Sequence, residues 1–102
     1  MSYKLSILTP EGRCFEGDVE SVTAPGVTGS FGVLSHHAPM VAALQAGIVK
    51  VTAKDDGGLL LVISGGLAEV DDEGVTVLAD SADKAANAAD AEQKLAVVRA
   101  GG

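Results

Sequence analysis

The side chains that could do acid–base, nucleophilic or metal chemistry are few, and their spacing argues against each use. His36 and His37 are the only histidines. On extended chain, neighbouring residues point to opposite faces, so this pair cannot readily grip one ion, and no cysteine or carboxylate stands near it in sequence. Ser35 beside His36 lacks the strand-turn-helix setting of a GxSxG nucleophile, which leaves a hydrolase built on His37 without its attacking group. Cys14 is single, can form no internal disulfide, and reads as a small half-buried apolar side chain compatible with a reducing compartment. The carboxylate groups Asp55-Asp56 and Asp71-Asp72-Glu73 each run into glycine, which makes them solvated hairpin tips, and Asp71 to Gly74 lacks the spacing of a calcium loop. Gly29-Ser30-Phe31-Gly32 is followed by no lysine and no helix start, so it is not a phosphate cradle. The sequence therefore predicts no catalytic residue, no metal site and no cofactor.

What remains is surface. Gly29 and Gly32 bracket Ser30 and Phe31 at a spacing suited to unusual backbone torsions, and Pro39 fixes its own φ and biases Ala38 toward extended geometry. The stretch from Gly29 to Gly47 reads as a rigid bend. With Val27, Phe31, Pro39 and Met40 at or near one edge, it would offer apolar contacts poor in charge, the composition of an interface centre; the alternative is that all four pack inside, as the return of Phe31, Val33 and Leu34 to the core would have it.

The elements that must hold this surface are strands. Tyr3, Leu5 and Ile7 alternate with Lys4 and Ser6, and Thr9-Pro10-Glu11-Gly12 turns the chain. Arg13 to Phe15 predicts a brief pairing, and Asp18 to Ala24 a strand with Glu20, Val22 and Ala24 on one face and Val19, Ser21 and Thr23 on the other, broken at Pro25-Gly26. Met40 to Leu44 suits a short strand or a bridge, and Ile48 to Lys54 alternates up to a hairpin at Asp55-Asp56-Gly57-Gly58. Leu59 to Ile63 is apolar throughout, as a strand covered on both faces must be. Leu67 to Val70 and Val75 to Ala79 complete an all-β region of 1–80, and the close turn signals favour a sandwich. From Ala82 to Ala100 there are eight alanines. The expectation is a linker over 81–89, then a short helix and tail over 90–102. Asp90 with Gln93 would be a capping box, with Ala91, Leu95 and Val98 on one stripe. Ten residues fall below the ~12–15 at which an isolated helix is even marginal, so this one must dock on the sandwich, dock on a partner, or fray.

Composition narrows the partners. One hundred and two residues make about one domain. Seven Lys+Arg against 14 Asp+Glu give a net charge of −7, which repels nucleic acid and anionic membrane surfaces. Aromatics are 3% against 47% hydrophobics, too few for sugar- or base-stacking platforms. The chain opens straight into alternating sequence with no signal or transit character, and Leu59 to Ile63 falls far short of the ~20 residues that span a bilayer. Membrane association is expected only through another protein.

The order and spacing of GSFGVLSHHAPMVAAL, AGIVKV, ISGG, EV and VTVLAD, from about Tyr3 through Asp80, resemble the epsilon subunit of the rotary ATP synthase. The resemblance implies a flattened β-sandwich of about ten short strands followed by helix. It also implies a noncatalytic rotor part that couples the gamma shaft to the membrane c-ring, so that proton flow drives ATP synthesis, peripheral to the cytoplasmic face of a bacterial inner membrane. By motif, Gly29, Ser30, Phe31 and Gly32 match the ring-facing turn, with Ser30 where an acidic residue often stands. Thr9, Pro10, His37, Ala38, Pro39 and Met40 match the segments facing gamma, with His36 where the family usually has glycine. The family has two C-terminal helices, the second of which blocks ATP hydrolysis in many relatives; with one short helix here, inhibition is not expected. Where some relatives bind ATP through a helix-start motif ending in Arg-Ala, this sequence has Ala89, Asp90, Ala91, Glu92, Gln93 and Lys94, and without the arginine no nucleotide site is implied. The alternative reading is a free-standing β-sandwich that binds a ligand or peptide.

Overall fold

Alternation of Tyr3, Leu5 and Ile7 with polar neighbours buries one face of the first strand, β1 (Tyr3–Thr9), and all three side chains reach the core. A computed structural model describes residues 2–33, 39–53 and 57–101 of the chain. The remaining strands are β2 (Gly12–Gly26), β3 (Gly29–Val33), β4 (Met40–Leu44), β5 (Gly47–Ala53), β6 (Gly57–Ile63), β7 (Gly66–Asp71), β8 (Gly74–Ala79) and β9 (Ala82–Ala85), followed by helix α1 (Ala88–Arg99). Among the described residues these nine strands form one hydrogen-bonded sheet.

Strand β2 folds that sheet into two layers. Its first half pairs antiparallel with β1, and its second half with β3 on one side and β5 on the other. One layer runs β1, β8, β7, β4, with β1 and β8 parallel; the other runs β3, β2, β5, β6, β9. The expected brief pairing at Arg13 to Phe15 and the expected break at Pro25 are both absorbed into this single 15-residue strand. Glu20 explains why the strand's predicted alternation fails. Val19 lies opposite Ala53 and Ser21 opposite Thr52, so Glu20 is an extra residue, a bulge that switches the buried parity from Val19 to Val22 and Ala24.

Leu5, Ile7, Val19, Val22, Val49, Val51, Leu61, Ile63, Val75 and Val77 meet between the layers. Strand β6 is apolar on both faces for a visible reason: Leu61 and Ile63 point into this core, whereas Val62 points out under α1, against Ala91 and Leu95. Burying side chains of this size is worth roughly 1.5–3 kcal/mol each, which is what holds a helix this short to the sheet.

The expected linker at 81–89 is corrected in two places. Residues Ala82–Ala85 are strand β9, paired antiparallel with β6, and α1 starts at Ala88, ahead of the expected Asp90. The helix cap is Asn87, whose Oδ1 accepts the Asp90 N–H at 2.8 Å, while the Asp90 carboxylate accepts the N–H of Ala86, one residue before the cap, at 2.8 Å, so Asp90 supports the cap from within the first turn where it was expected to be the cap itself. The predicted stripe of Ala91, Leu95 and Val98 is the face that packs on β6.

Candidate interface

Two tight turns set the edges of the first layer. Pro10-Glu11 joins β1 to β2, and Thr9 ties that turn internally: its hydroxyl donates to the Gly12 carbonyl at 3.3 Å and accepts the Glu11 N–H at 3.2 Å. At the far side Asp71 accepts the N–H groups of Glu73 and Gly74 at 2.8 and 3.1 Å, so one carboxylate of the acidic run is occupied in its own turn. Among the described residues, no three His, Cys, Asp or Glu side chains converge as ion ligands.

The expected site residues are not gathered at one place. Gly29, Ser30 and Gly32 are exposed on β3, one arm of a β2–β3 hairpin whose tip is Val27-Thr28, so the expected turn is itself strand. Phe31 is not presented to solvent as an anchor. It is half-buried against the core, with its ring over Gly26, where a Cβ would approach it to 3.0 Å. Pro39 is exposed and Met40 is partly exposed at the start of β4. His37 and Ala38 lie outside the described residues, as does the hairpin tip expected at Asp55-Asp56. Thr9 and Pro10 sit at the opposite end of the layer from Met40: Met40 is level with Val70 and Val75, whereas Thr9 follows Leu8, which is level with Leu78.

Strand register brings together a surface that residue spacing did not disclose. Leu8 lies opposite Leu78, Leu78 opposite Leu67, and Leu67 opposite Ala43. Directly paired residues share a face, so these four form a row across β1, β8, β7 and β4 on the outer side of the layer. The hairpin tip extends it, because Val27 donates its N–H to the Ala43 carbonyl at 3.0 Å. At ~4.8 Å per strand the row is roughly 19 Å long. Leu67 is 38% exposed, Leu78 46%, Val27 57% and the adjacent Val41 63%, a concentration that water alone does not favour. Carboxylates flank it: Glu69 lies opposite Val41 and Thr76 on one side, and Asp80 follows Leu78 on the other. At the β1 end the row runs into a shallow depression of about 310 Å³ lined by Leu8, Thr9, Pro10, Leu78, Ala79 and Asp80.

The family model described as the β-sandwich domain of the ATP synthase delta/epsilon chain matches residues 2–85. The chain belongs to this delta/epsilon family. That match runs past Asp80 and takes in β9. Among curated relatives, this delta/epsilon-family chain is 47% identical over 81 residues to ATP synthase epsilon chain 1 of Nitrobacter hamburgensis and 46% identical over 81 residues to the ATP synthase epsilon chain of Rhodopseudomonas palustris. Each match covers 79% of this chain and 59% of the relative, so the chain spans about three-fifths of the length of the curated relatives it matches. Its fold is similar to a chain in the mitochondrial ATP synthase of Euglena gracilis, solved as an OSCP/F1/c-ring assembly, with a TM-score of 0.77 at 22% identity over 95% of this chain and 76% of that one. It is also similar to a chain in the central stalk/c-ring structure of the Tetrahymena thermophila enzyme, with a TM-score of 0.68 at 14% identity over 99% of this chain and 90% of that one. No helix among the described residues is long and apolar enough to cross a membrane.

Proposed function

We propose that this delta/epsilon-family chain is a noncatalytic central-stalk subunit of an F-type ATP synthase, which couples the gamma shaft to the c-ring so that proton flow drives ATP synthesis. The observation that carries the reading is the row of Leu8, Leu78, Leu67, Ala43 and Val27 on a sheet rigidified from behind by the core. A part that transmits torque needs a stiff body and a large area of contact, and an apolar ridge on a closed sandwich supplies both. The row is the surface for gamma, with Thr9 and Pro10 at its β1 end; Met40, exposed at the start of β4 and level with buried Val70, would meet gamma apart from the row. Gly29, Ser30, Phe31 and Gly32, on the β3 arm of the β2–β3 hairpin, are the ring-facing element. The subunit is peripheral, at the cytoplasmic face of a bacterial inner membrane, reaching it through its partners.

The test is recovery of synthase subunits by the tagged chain from gently solubilised membranes of its own source. Wild type should bring down gamma and c subunits. Leu78→Asp buries a charge at the centre of the contact and should reduce gamma recovery about tenfold or more, with the thermal unfolding of the isolated chain unchanged because Leu78 is outside the core. Undiminished recovery would remove the row from the interface. Recovery of unrelated peptides in place of synthase subunits would overturn the coupling role and leave the free-standing binding module.

A further inference from the structure

Asp80 is an acid placed beside an apolar surface without a cation to match it. Its backbone N–H donates to the Gly65 carbonyl at 2.9 Å, which fixes the residue at the end of β8. Its carboxylate makes no ion pair with any described residue, whereas Lys94 and Arg13 are both engaged with acids elsewhere. Asp80 also helps to line the 310 Å³ depression into which the row opens. That volume is at the bottom of the roughly 300–1,000 Å³ range of small-molecule sites, and the depression is open rather than enclosed, which suits one long side chain from a partner. Leu8, Pro10 and Leu78 line it with apolar surface, and Thr9, its hydroxyl already committed to the β1–β2 turn, adds no free donor.

An aliphatic stem ending in a positive charge satisfies both halves of this seat, because lysine and arginine lay their methylenes along apolar surface and keep the charged head at the rim. We propose that the partner docking on the apolar row inserts a lysine or arginine side chain into this depression, its stem along Leu8, Pro10 and Leu78 and its cation on the Asp80 carboxylate. The proposal rests on the reading of the row as the gamma-facing surface and gives that contact its polarity: an apolar ridge on the partner with a cation at its β1 end. Glu69, across the row from Asp80, provides a second negative flank. With a net charge of −7 over the chain, the same field steers a basic partner surface inward.

The experiment titrates the purified chain against the catalytic head of the same organism's synthase, prepared without this subunit, at low and high salt. Asp80→Asn should weaken binding about five- to tenfold at low salt and flatten the salt dependence, Asp80→Glu should restore most of both, and Asp80→Lys should bind more weakly than Asp80→Asn. Thermal unfolding of each variant is the control for folding, and Glu92→Gln, on the exposed side of α1, is the control for net charge. If Asp80→Asn binds as wild type with the same salt slope while Leu78→Asp abolishes binding, the row is the interface and the cation seat is refuted. If wild type does not bind the head at all, the coupling role fails first and the seat with it.

Discussion

Gly66 stands where the apolar row is built, and replacing it by alanine should cost far more than glycine substitutions in open turns. Its φ is +152°, a region L residues rarely enter, and a Cβ there would lie 2.1 Å from the Leu78 carbonyl oxygen and 2.9 Å from the Ala79 Cα. Both contacts are with backbone, so nothing flexible can give way; β7 and β8 must separate at the Gly66–Ala79 pair. Backbone strain is of order 1–3 kcal/mol, and each ladder hydrogen bond lost adds about 1 kcal/mol, which gives roughly 3–5 kcal/mol for Gly66→Ala. Against a typical total of ~5–15 kcal/mol this is a large fraction, and at ~4–8 °C per kcal/mol it lowers Tm by at least about 12 °C. Gly29→Ala isolates the torsional part. Its φ of +132° imposes similar strain, but nothing lies within 4 Å of the added methyl, so the loss should stop near ~1–3 kcal/mol. Urea and thermal unfolding followed by circular dichroism measure both. If Gly66→Ala lies within about 1 kcal/mol of Gly29→Ala, the close approach of β7 to β8 is not what demands glycine, and the reasoning fails.

Tyr3 should limit alkaline stability. Its hydroxyl donates to the Val33 carbonyl, and burial pushes its pKa from 10.0 up to about 12. The folded chain therefore holds the phenol proton to higher pH than the unfolded chain. Stability is whole below about pH 10 and falls by about 2–3 kcal/mol as pH rises toward about 12, a loss that Tyr3→Phe should abolish in urea titrations across that range. Lys94→Met should loosen α1 and β9 without unfolding the sandwich. The ammonium donates to the Lys84 carbonyl at 2.7 Å and pairs with Asp83 at 3.6 Å and Asp90 at 3.5 Å, but it is about a third exposed, so amide exchange in those two elements should quicken while Tm moves by only a few degrees. Asp90 adds an acid limb to the same contact: the Ala86 N–H, and after it Lys94, hold its pKa below the usual carboxylate range. Its contribution is complete above about pH 4 and disappears as pH falls through the lowered folded value, so exchange in α1 should rise in that acid window, and Asp90→Asn should remove the pH dependence.

The sandwich was legible because burial leaves a mark at period two, and that mark depends only on a strand's own residues. Tyr3, Leu5 and Ile7 predict β1 without reference to any neighbour, and the Asp71 to Gly74 run predicts its turn from local hydrogen bonding alone. That mark is lost where a second segment intervenes. Glu20 is a bulge because β5 offers Thr52 to Ser21, a fact about pairing that no periodicity in β2 contains. Ala82 to Ala85 read as linker because alanine is a poor strand former, and its ladder is imposed by the free edge of β6. Asn87 carries no capping-box signal, because the residue three positions on is Asp90, which bonds Ala86, where the motif calls for Glu or Gln.

The candidate interface was hidden more deeply. Leu8, Ala43, Leu67 and Leu78 are widely separated in sequence, and each looks unremarkable there: a strand end, one alanine in a run, a residue after a glycine pair, the next-to-last residue of a strand. Only the register of three ladders aligns them, and a slip of one residue in β7 would turn Leu67 inward and expose Ala68 instead. Phe31, the obvious aromatic anchor, is drawn into the core because the glycine at position 26 leaves room for its ring. A sequence therefore advertises the residues that make a fold more readily than those the fold lines up. Register is also what makes the surface testable, since a variant that shifts β7 should lose partner binding even where every residue of the row is retained.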